Sequence, residues 1–231
     1  MNMIKKIYDK LLKDYGPQGW WPLVEHPGSN PTKSGAIEGY HPGDYSLPTT
    51  DTQRFEICLG AILTQNTSWV TVEKSILNLY RINSLSISGI KKLSDGKLRE
   101  MIKPAGYYNQ KARYIKEFIV FFEKLDGKVP SREELLSVTG IGPETADSML
   151  LYAFKQPHFV VDAYTKRIFI KIGLIDKKAN YDEIKKLFED NLDKDYKVYQ
   201  EYHALIVEHA KRYYLKKTNY GKCPLLKLIK K

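Results

Sequence analysis

From Arg54 onward, apolar residues recur every three or four positions, the spacing that places them on one face of an α-helix. The pattern runs through FEICLGAILTQ, WVTVEKSILNLYRI, KLREMI and NQKARYIKEFIVFFEKL, and it reaches VYQEYHALIVEHAKRYYLKK near the carboxyl terminus. The opening MNMIKKIYDKLLKDYG has the same pattern and predicts an amphipathic helix. No two alternating strands joined by a tight turn occur. The sequence therefore predicts an all-α protein with about ten helices.

One long segment interrupts this helical pattern. Nine of the 31 residues from 22 to 52 are glycine or proline, so we predict an irregular loop there. Loops of this length in compact domains are usually either functional or disordered, and the sequence does not choose between the two.

A second interruption, VTGIGPE, separates two short apolar segments. Ser131 and Glu134 fit a capping box that opens the first helix. Gly140 and Gly142 supply the backbone freedom of a turn, and Pro143 suits the first position of the second helix. Amides at that helix start can bind a phosphate without reading base sequence. A simple turn between two helices is the alternative.

Composition narrows the possible partners. The 231 residues are 42% hydrophobic and 28% charged, which is typical of a globular chain. The net charge is +10, and residues 201–231 carry eight Lys or Arg against two Glu. This favours a nucleic acid or an anionic lipid as partner, or else a solvated basic tail. No apolar stretch is long enough to span a membrane and no secretory signal is evident, so we expect an intracellular protein.

The segments LLSVTGIGPETADSMLLYAF, FVVDAYTKRIF, LGAILTQNTSW and PAGYYNQKA together resemble the helix-hairpin-helix DNA glycosylases of the endonuclease III superfamily, over about residues 50–225. The resemblance implies a six-helix bundle lobe at 53–157 that ends in the helix-hairpin-helix at 131–154. It implies a second lobe built from 1–52 and 158–231, with a DNA cleft between the lobes. The expected partner is damaged double-stranded DNA, bound by a monomer in the nucleoid of a prokaryotic cytoplasm.

Two acidic residues bear on the chemistry that this resemblance implies. Asp162 matches the catalytic carboxylate, which stabilises positive charge at the sugar C1′ and orients the attacking water. A helix N-cap is the alternative for this residue. Glu144 matches the hairpin position at which relatives that also cut the backbone have a lysine. A carboxylate cannot form their Schiff base, so the resemblance implies a monofunctional glycosylase.

The resemblance also implies a set of DNA contacts. Gln65, with Asn66 beside it, would fill the space left by the flipped nucleotide, and a polar residue bonding its own helix end is the alternative. Lys111 and Arg113 would contact a phosphate. The remaining predicted contacts come from Asn109 and from the hairpin residues Gly140, Gly142, Glu144 and Thr145.

Trp20, Trp21 and Phe55 match the aromatic base pocket of endonuclease III-like 3-methyladenine DNA glycosylases. A cationic base such as 3-methyladenine stacks favourably on aromatic rings, whereas a tryptophan pair that only closes the core is the alternative. Lys211 matches a lysine near that pocket, with a solvated helix lysine as the alternative. Its charge would disfavour a cationic base unless a carboxylate or a modification neutralised it.

Many relatives hold a [4Fe–4S] cluster through four cysteines after the last long helix. The matching positions here are Tyr213, Tyr220, Cys223 and Ile229, and a single thiolate cannot hold the cluster. The chain also has no CxxC motif and no closely spaced histidine pair. We therefore expect no iron–sulfur cluster, no other cofactor and no metal.

The sequence leads to a DNA glycosylase that removes an alkylated purine such as 3-methyladenine. Other lesions stay open, namely thymine or uracil in mismatches, adenine opposite oxidised guanine, and oxidised pyrimidines. A noncatalytic helix-hairpin-helix DNA-binding module is the alternative from another class of protein.

Overall fold

The computed structural model describes residues 2–31 and 35–229, and every regular element in those residues is helical. The all-α prediction is confirmed. The α-helices are α1 (Met3–Tyr15), α2 (Asp51–Leu63), α3 (Trp69–Arg81), α4 (Ile87–Lys91), α5 (Asp95–Ile102), α6 (Tyr108–Leu125), α7 (Arg132–Leu136), α8 (Pro143–Ser148), α9 (Ala163–Lys171), α10 (Tyr181–Glu189), α11 (Tyr196–Tyr213) and α12 (Leu225–Ile229).

Three shorter segments complete the helical structure of the described chain. They are the 3₁₀ segments Lys103–Ala105 and Lys217–Lys222 and a π-helical turn, Met149–Ala153, that directly follows α8. The described residues contain more helices than the periodic pattern predicted. Helices α4 and α12 have five residues each, too few for a 3.6-residue repeat to become visible in a sequence.

Helix α2 lies at the centre of one set of helices. All of its residues from Phe55 to Leu63 are buried, and it packs against α3, α6, α8 and the π-helical turn. Helix α5 packs between α3 and α6, while α7 packs against α8. A helix that is apolar on every side needs such surroundings, because no face of it can be left in water.

The two ends of the chain form a second set of contacts. Helix α11 packs against α1 and α9, and it also contacts the π-helical turn of the first set. Stacked and edge-on rings fill the space beneath α11, and these rings belong to Phe159, Phe169, Phe188, Tyr199 and Tyr202. The lobe boundaries at residues 52–53 and 157–158 stay a prediction.

The segment from 22 to 50 is irregular in its described residues, as predicted, yet it packs against the helices. Leu23, Ile37 and Tyr40 are buried. Residues 32–34 lie outside the described chain. Apolar side chains at intervals along the segment therefore attach it to the rest of the protein.

Two buried carboxylates hold this segment through its backbone amides. Glu56 of α2 accepts a hydrogen bond from the amide of Val24 (2.8 Å), and burial raises the pKa of Glu56 to about 7. Glu73 of α3 accepts from the amides of Ala36 (2.9 Å) and Ile37 (3.4 Å). These bonds supply the polar partners that an irregular backbone lacks.

The predicted hairpin is present between α7 and α8. Ser131 and Glu134 form the predicted capping box, and Pro143 is the first residue of α8. Gly140 has a φ of +85°, a conformation that side chains disfavour. The second arm differs from the prediction, because the segment expected to be one helix ends at Ser148 and continues as the π-helical turn.

Candidate active site and DNA-binding surface

The Asp162 carboxylate uses its two oxygens differently. Oδ1 accepts hydrogen bonds from the amide (2.7 Å) and the hydroxyl (2.8 Å) of Thr165, so Asp162 is the N-cap of α9. Oδ2 lies 3.7 Å from Nε2 of His203. The capping alternative is therefore correct as a description of Oδ1, and Oδ2 is the oxygen left for chemistry.

His203 of α11 and Tyr152 of the π-helical turn stand behind this carboxylate. The Tyr152 hydroxyl lies 2.7 Å from Nδ1 of His203, and both side chains are buried. Burial lowers the pKa of His203, and the negative charge of Asp162 only partly opposes that shift. Burial of the imidazole next to Asp162 therefore favours its neutral form.

Glu144, in the first turn of α8, faces the same carboxylate. Withdrawal of its carboxyl from water, followed by the charge of Asp162, raises the pKa of Glu144 to about 7, while Lys166 acts in the opposite direction. The residue as a whole is exposed, so solvent reaches part of this side chain. Two carboxyl groups thus share the space at the end of the hairpin.

Three indole rings form a cluster close to this space. Trp20 and Trp69 meet edge to face with ring centroids 4.5 Å apart, and Trp21 lies 5.1 Å from Trp20 and 5.2 Å from Trp69. The ring of Tyr40, from the irregular segment, lies 5.9 Å from Trp20. Trp20 and Trp69 are half-buried, whereas Trp21 is buried.

A chain of contacts connects the three-tryptophan cluster (Trp20, Trp21 and Trp69) to the carboxylate. The Trp21 ring lies 5.6 Å from the Tyr152 ring, Tyr152 bonds His203, and His203 faces Asp162. The predicted pocket tryptophans and the predicted catalytic residue are therefore brought together.

Sequence reasoning did not identify Trp69 and Glu73 as parts of this site. The indole of Trp69 donates a hydrogen bond to Glu73 (2.9 Å). Burial raises the pKa of Glu73, and the positive charge of Lys211 counteracts that rise, which places the half-buried Lys211 close to Glu73. The sequence feature that could have identified this pair is the spacing of Trp69 and Glu73, which lie four residues apart on one helix face.

Gln65 joins the end of α2 to the hairpin. Its side-chain amide donates to the carbonyl of Gly140 (2.9 Å) and to the hydroxyl of Thr145 (3.1 Å). Asn66 next to it is exposed and has a φ of +53°. Three of the predicted DNA-contacting residues therefore meet at one place.

A candidate DNA contact that the sequence did not reveal lies near this point. Tyr107 precedes α6 with a φ of +46°, and 66% of its surface is exposed. A large exposed aromatic ring held in this conformation is unusual for a purely structural residue. Asn109, two residues further on, is also exposed. Arg113 lies 3.6 Å from Glu117 and is largely exposed, so its cation stays available at the surface.

Comparisons with known proteins show the family of this chain. The HhH-GPD superfamily of base excision DNA repair proteins matches residues 59–194, which include Gln65, the hairpin and Asp162. The chain belongs to the HhH-GPD superfamily.

Several relatives and solved structures resemble this HhH-GPD protein along nearly its whole length. MJ1434 of Methanocaldococcus jannaschii, which carries a provisional name as a DNA repair glycosylase, is 44% identical over 97% of this chain and 94% of its own. A crystal structure of the H. pylori 3-methyladenine DNA glycosylase MagIII, bound to 1,N6-ethenoadenine, is 28% identical with a TM-score of 0.67. It covers 91% of this chain and 98% of its own. An endonuclease III–DNA complex shares the fold, with a TM-score of 0.73 at 19% identity over 99% of this chain and 95% of its own.

Phe55 does not lie where we expected it in this HhH-GPD protein. Only 1% of its surface is exposed, and its ring packs against Phe122 with centroids 5.8 Å apart. The prediction of Phe55 as a base-pocket residue is not supported, because α2 points this side chain into the core.

The structure also contradicts the predicted role of Lys111. Its side chain is 2% exposed, and its ammonium donates to the carbonyls of Leu63 and Ala105 (2.8 Å each). Burial lowers the pKa of Lys111 to about 8. The expected phosphate contact is wrong for this structure, since the lysine binds carbonyls at the ends of α2 and of the 3₁₀ segment Lys103–Ala105.

The positions that match the family's cluster ligands form a different structure in this HhH-GPD protein. Cys223 is buried and lies 3.2 Å from Nε2 of His209, while Tyr214 and Tyr220 stack with centroids 5.0 Å apart. One thiolate among aromatic rings does not fit a [4Fe–4S] cluster. Within residues 2–31 and 35–229, no three His, Cys, Asp or Glu side chains are grouped as a metal site requires.

No helix in the described part of this HhH-GPD protein combines the length and the apolar character needed to cross a bilayer.

Proposed function

We propose that this HhH-GPD protein is a monofunctional DNA glycosylase that hydrolyses the N-glycosidic bond of an alkylated purine, such as 3-methyladenine, and leaves an abasic site. The observation that carries this proposal is a pair of carboxyl groups, Glu144 in the first turn of α8 and Asp162 at the N-cap of α9, close enough for their charges to interact. The hairpin position that resembles the lysine nucleophile of the lyases holds a glutamate here, so the proposed nucleophile is water.

The three-tryptophan cluster supports a cationic base as substrate. Half-buried indole faces attract a positively charged heterocycle, and the attraction increases when water is excluded. Glu73, held against Trp69, supplies negative charge close to Lys211 and so reduces the repulsion between that lysine and a cationic base. The positive charge of an N-alkylated purine also weakens its own glycosidic bond. The similarity to MagIII, whose name specifies 3-methyladenine, supports the same substrate class.

DNA engagement follows from the hairpin and the surface charge. The first amides of α8 have no acceptor within the helix, and they donate hydrogen bonds to a phosphate at the positive end of the helix dipole. The net charge of +10 adds attraction that does not depend on base sequence. Gln65 then leaves Gly140 and Thr145 to occupy the space vacated by the flipped nucleotide.

In the proposed reaction, water attacks C1′ as the bond to the base breaks. The Asp162 carboxylate stabilises the positive charge that develops on the sugar, and Oδ2 accepts a hydrogen bond from the attacking water. The electron pair of the glycosidic bond leaves with the base, which thereby becomes neutral. The water proton passes to the carboxylate and then to solvent.

Base release from defined duplexes tests the proposal. Oligonucleotides with 3-methyladenine, hypoxanthine, uracil or thymine glycol are incubated with the protein, and free base and borohydride-trapped adducts are measured. We expect release of the alkylpurine and no trapped adduct. A trapped adduct would contradict hydrolysis by water, whereas binding without release from any duplex would favour the noncatalytic module.

Substitution of the carboxylate gives the first prediction. Asp162→Asn keeps an oxygen for the Thr165 cap but removes the negative charge, so it should bind the damaged duplex and lose base release by a factor on the order of a thousand. Single-turnover kinetics together with the unfolding temperature measure both effects. Retained turnover in a folded variant would show that another group performs the chemistry.

We also propose that the protein works without an iron–sulfur cluster, because Cys223 bonds His209 in the place where relatives have the cluster. An iron assay on protein purified without oxygen should find no stoichiometric iron. Four iron atoms per chain would contradict this part of the proposal.

A further inference from the structure

His203 is a buried polar residue beside Asp162 that has no role in the proposed reaction. It is 8% exposed, and Nε2 has no hydrogen-bond partner among the described residues. Leaving a buried donor unpaired costs about 1–3 kcal/mol, so such a group needs an explanation. Nε2 points toward Oδ2 of Asp162 at 3.7 Å, which is beyond hydrogen-bond distance.

The carboxylate of Asp162 is the group that favours one tautomer of His203. An unprotonated Nε2 would turn its lone pair toward the negative Oδ2 at 3.7 Å, so the neutral ring places its proton on Nε2. Nδ1 can then accept a hydrogen bond from the Tyr152 hydroxyl at 2.7 Å, and the single proton of that hydroxyl is shared between Nδ1 and the carbonyl of Gln200 at 3.2 Å.

We propose that His203 is a positioning residue that donates a hydrogen bond from Nε2 to Oδ2 of Asp162 when a flipped nucleotide enters the site. The proposal rests on the catalytic role of Asp162 proposed above. Closing the distance from 3.7 Å to a hydrogen bond requires less than about 1 Å of movement. Oδ1 is fixed by Thr165, so a donor on Oδ2 fixes the plane of the carboxylate relative to C1′.

A neutral donor suits this place better than a cation. A lysine or an arginine beside Asp162 would cancel the negative charge that stabilises the developing positive charge on the sugar. A neutral imidazole orients the carboxylate and leaves that charge in place. The Tyr152 hydroxyl holds the other side of the ring, at 2.7 Å from Nδ1.

Charged groups on the neighbouring helices act on the same carboxylate. Glu144 of α8 and Lys166 of α9 face the same space, and Glu201 of α11 acts on the Tyr152 hydroxyl. A pH profile of the variants therefore has to be measured with and without Glu144, which itself titrates near neutral pH.

Two substitutions of His203 separate positioning from packing. His203→Gln places an amide donor at the position of Nε2, whereas His203→Asn places its amide near Nδ1, where it can bond Tyr152 but cannot reach Asp162. We expect single-turnover base release to fall about 10- to 100-fold in His203→Asn, which corresponds to one lost hydrogen bond to a charged group. His203→Gln should recover most of the rate, and duplex binding should be unchanged in both.

The pH dependence of the base-release rate is a measurement that a change in packing alone would not alter. A donor to Oδ2 favours the ionised carboxylate, so its loss should move the acid limb of the rate profile to higher pH in His203→Asn. His203→Gln should keep the limb of the unsubstituted protein. The same pair is compared in a Glu144→Gln background, so that titration of Glu144 cannot produce the shift.

Nitrogen NMR of the free protein tests the tautomer without any reaction. We expect a neutral His203 ring protonated at Nε2, and protonation at Nδ1 would overturn the proposal. Equal rate losses in His203→Asn and His203→Gln would overturn it as well. If the unsubstituted protein releases no base from any duplex, the proposed function itself is wrong. A failure of the His203 proposal alone leaves base release by the unsubstituted protein intact, so the two failures can be distinguished.

Discussion

The role of a charged side chain in a family motif depends on whether the side chain reaches water. Lys111 belongs to a segment for which the sequence predicts a phosphate contact, yet its ammonium bonds the carbonyls of Leu63 and Ala105. Those carbonyls end helical segments and have no partner within them. The ammonium thus joins α2 to the segment before α6.

Replacing Lys111 tests this structural role. Lys111→Met keeps most of the side-chain volume but leaves two buried carbonyls without a donor, so the free energy of unfolding should fall by about 1–3 kcal/mol. The salt dependence of DNA binding should stay unchanged, whereas a lost phosphate contact would lower the slope by about one.

Arg113→Ala is the matched control, since Arg113 is exposed on the same helix. It should leave the free energy of unfolding within about 0.5 kcal/mol. A lower salt slope in Lys111→Met with unchanged stability would restore the original phosphate assignment.

At the level of residues, the sequence alone indicates those roles that depend on local chain geometry, such as the capping alternative for Asp162, while its catalytic role stays a prediction. Asp162 caps α9 through Thr165, three residues away, and this local pattern is readable. The contact of Asp162 with His203 spans 41 positions and is not readable from one sequence. The prediction that Phe55 lines the base pocket was wrong. The sequence places this aromatic residue on a helix but does not show which side of the helix faces the pocket.

At the level of elements, the hairpin is the part that the sequence predicted best, because capping, turn and helix start are local. Both of its arms are also tied together, since Arg132 of α7 pairs with the buried Asp147 of α8 at 2.9 Å. The π-helical turn after α8 was missed. A widened turn has no sequence signature of its own.

The two hairpin glycines should differ in their tolerance of a side chain. A Cβ at Gly140 would overlap the Tyr114 ring and would sit on a backbone with a φ of +85°, so Gly140→Ala should destabilise the protein by about 1–3 kcal/mol. At Gly142 a Cβ would meet nothing within 4 Å, so Gly142→Ala should change stability much less.

Denaturant unfolding measures both glycine variants. Gly140→Ala should also weaken binding to undamaged duplex, because the distorted turn leads into the α8 amides that are proposed to bind a phosphate. Equal stability of the two variants would mean that the turn tolerates a side chain at Gly140.

At the level of the whole molecule, the contacts that join distant parts of the chain were beyond sequence reasoning. The three-tryptophan cluster combines Trp20 and Trp21 with Trp69, and the loop before α2 closes over it through Tyr40. The periodic pattern predicts each helix and leaves the pairing of helices undetermined. Only the family resemblance linked Trp20 and Trp21 to Asp162 in advance.

The two termini meet at His209 of α11. Its ring bonds the Tyr15 hydroxyl (2.7 Å) at the end of α1 and Cys223 (3.2 Å) near α12. Burial lowers the pKa of His209 to about 4. An unfolded histidine takes up a proton at about pH 6.5, so the unfolded chain binds more protons than the folded one between these values.

Acid should therefore weaken the connection between the termini. The contribution of His209 to stability is fully present above about pH 6.5 and is lost as the pH falls toward 4, by up to about 3 kcal/mol. His209→Gln cannot take up this proton, so the free energy of unfolding of the unsubstituted protein should fall more steeply between pH 7.5 and pH 4.5 than that of the variant.

Tyr15→Phe serves as the control, because it removes one hydrogen bond while keeping the buried imidazole. It should lower stability at both pH values and retain the steep pH dependence. If His209→Gln and the unsubstituted protein lose stability in parallel, the titrating group lies elsewhere. His209 would then contribute packing and hydrogen bonds alone to the closure of the chain ends.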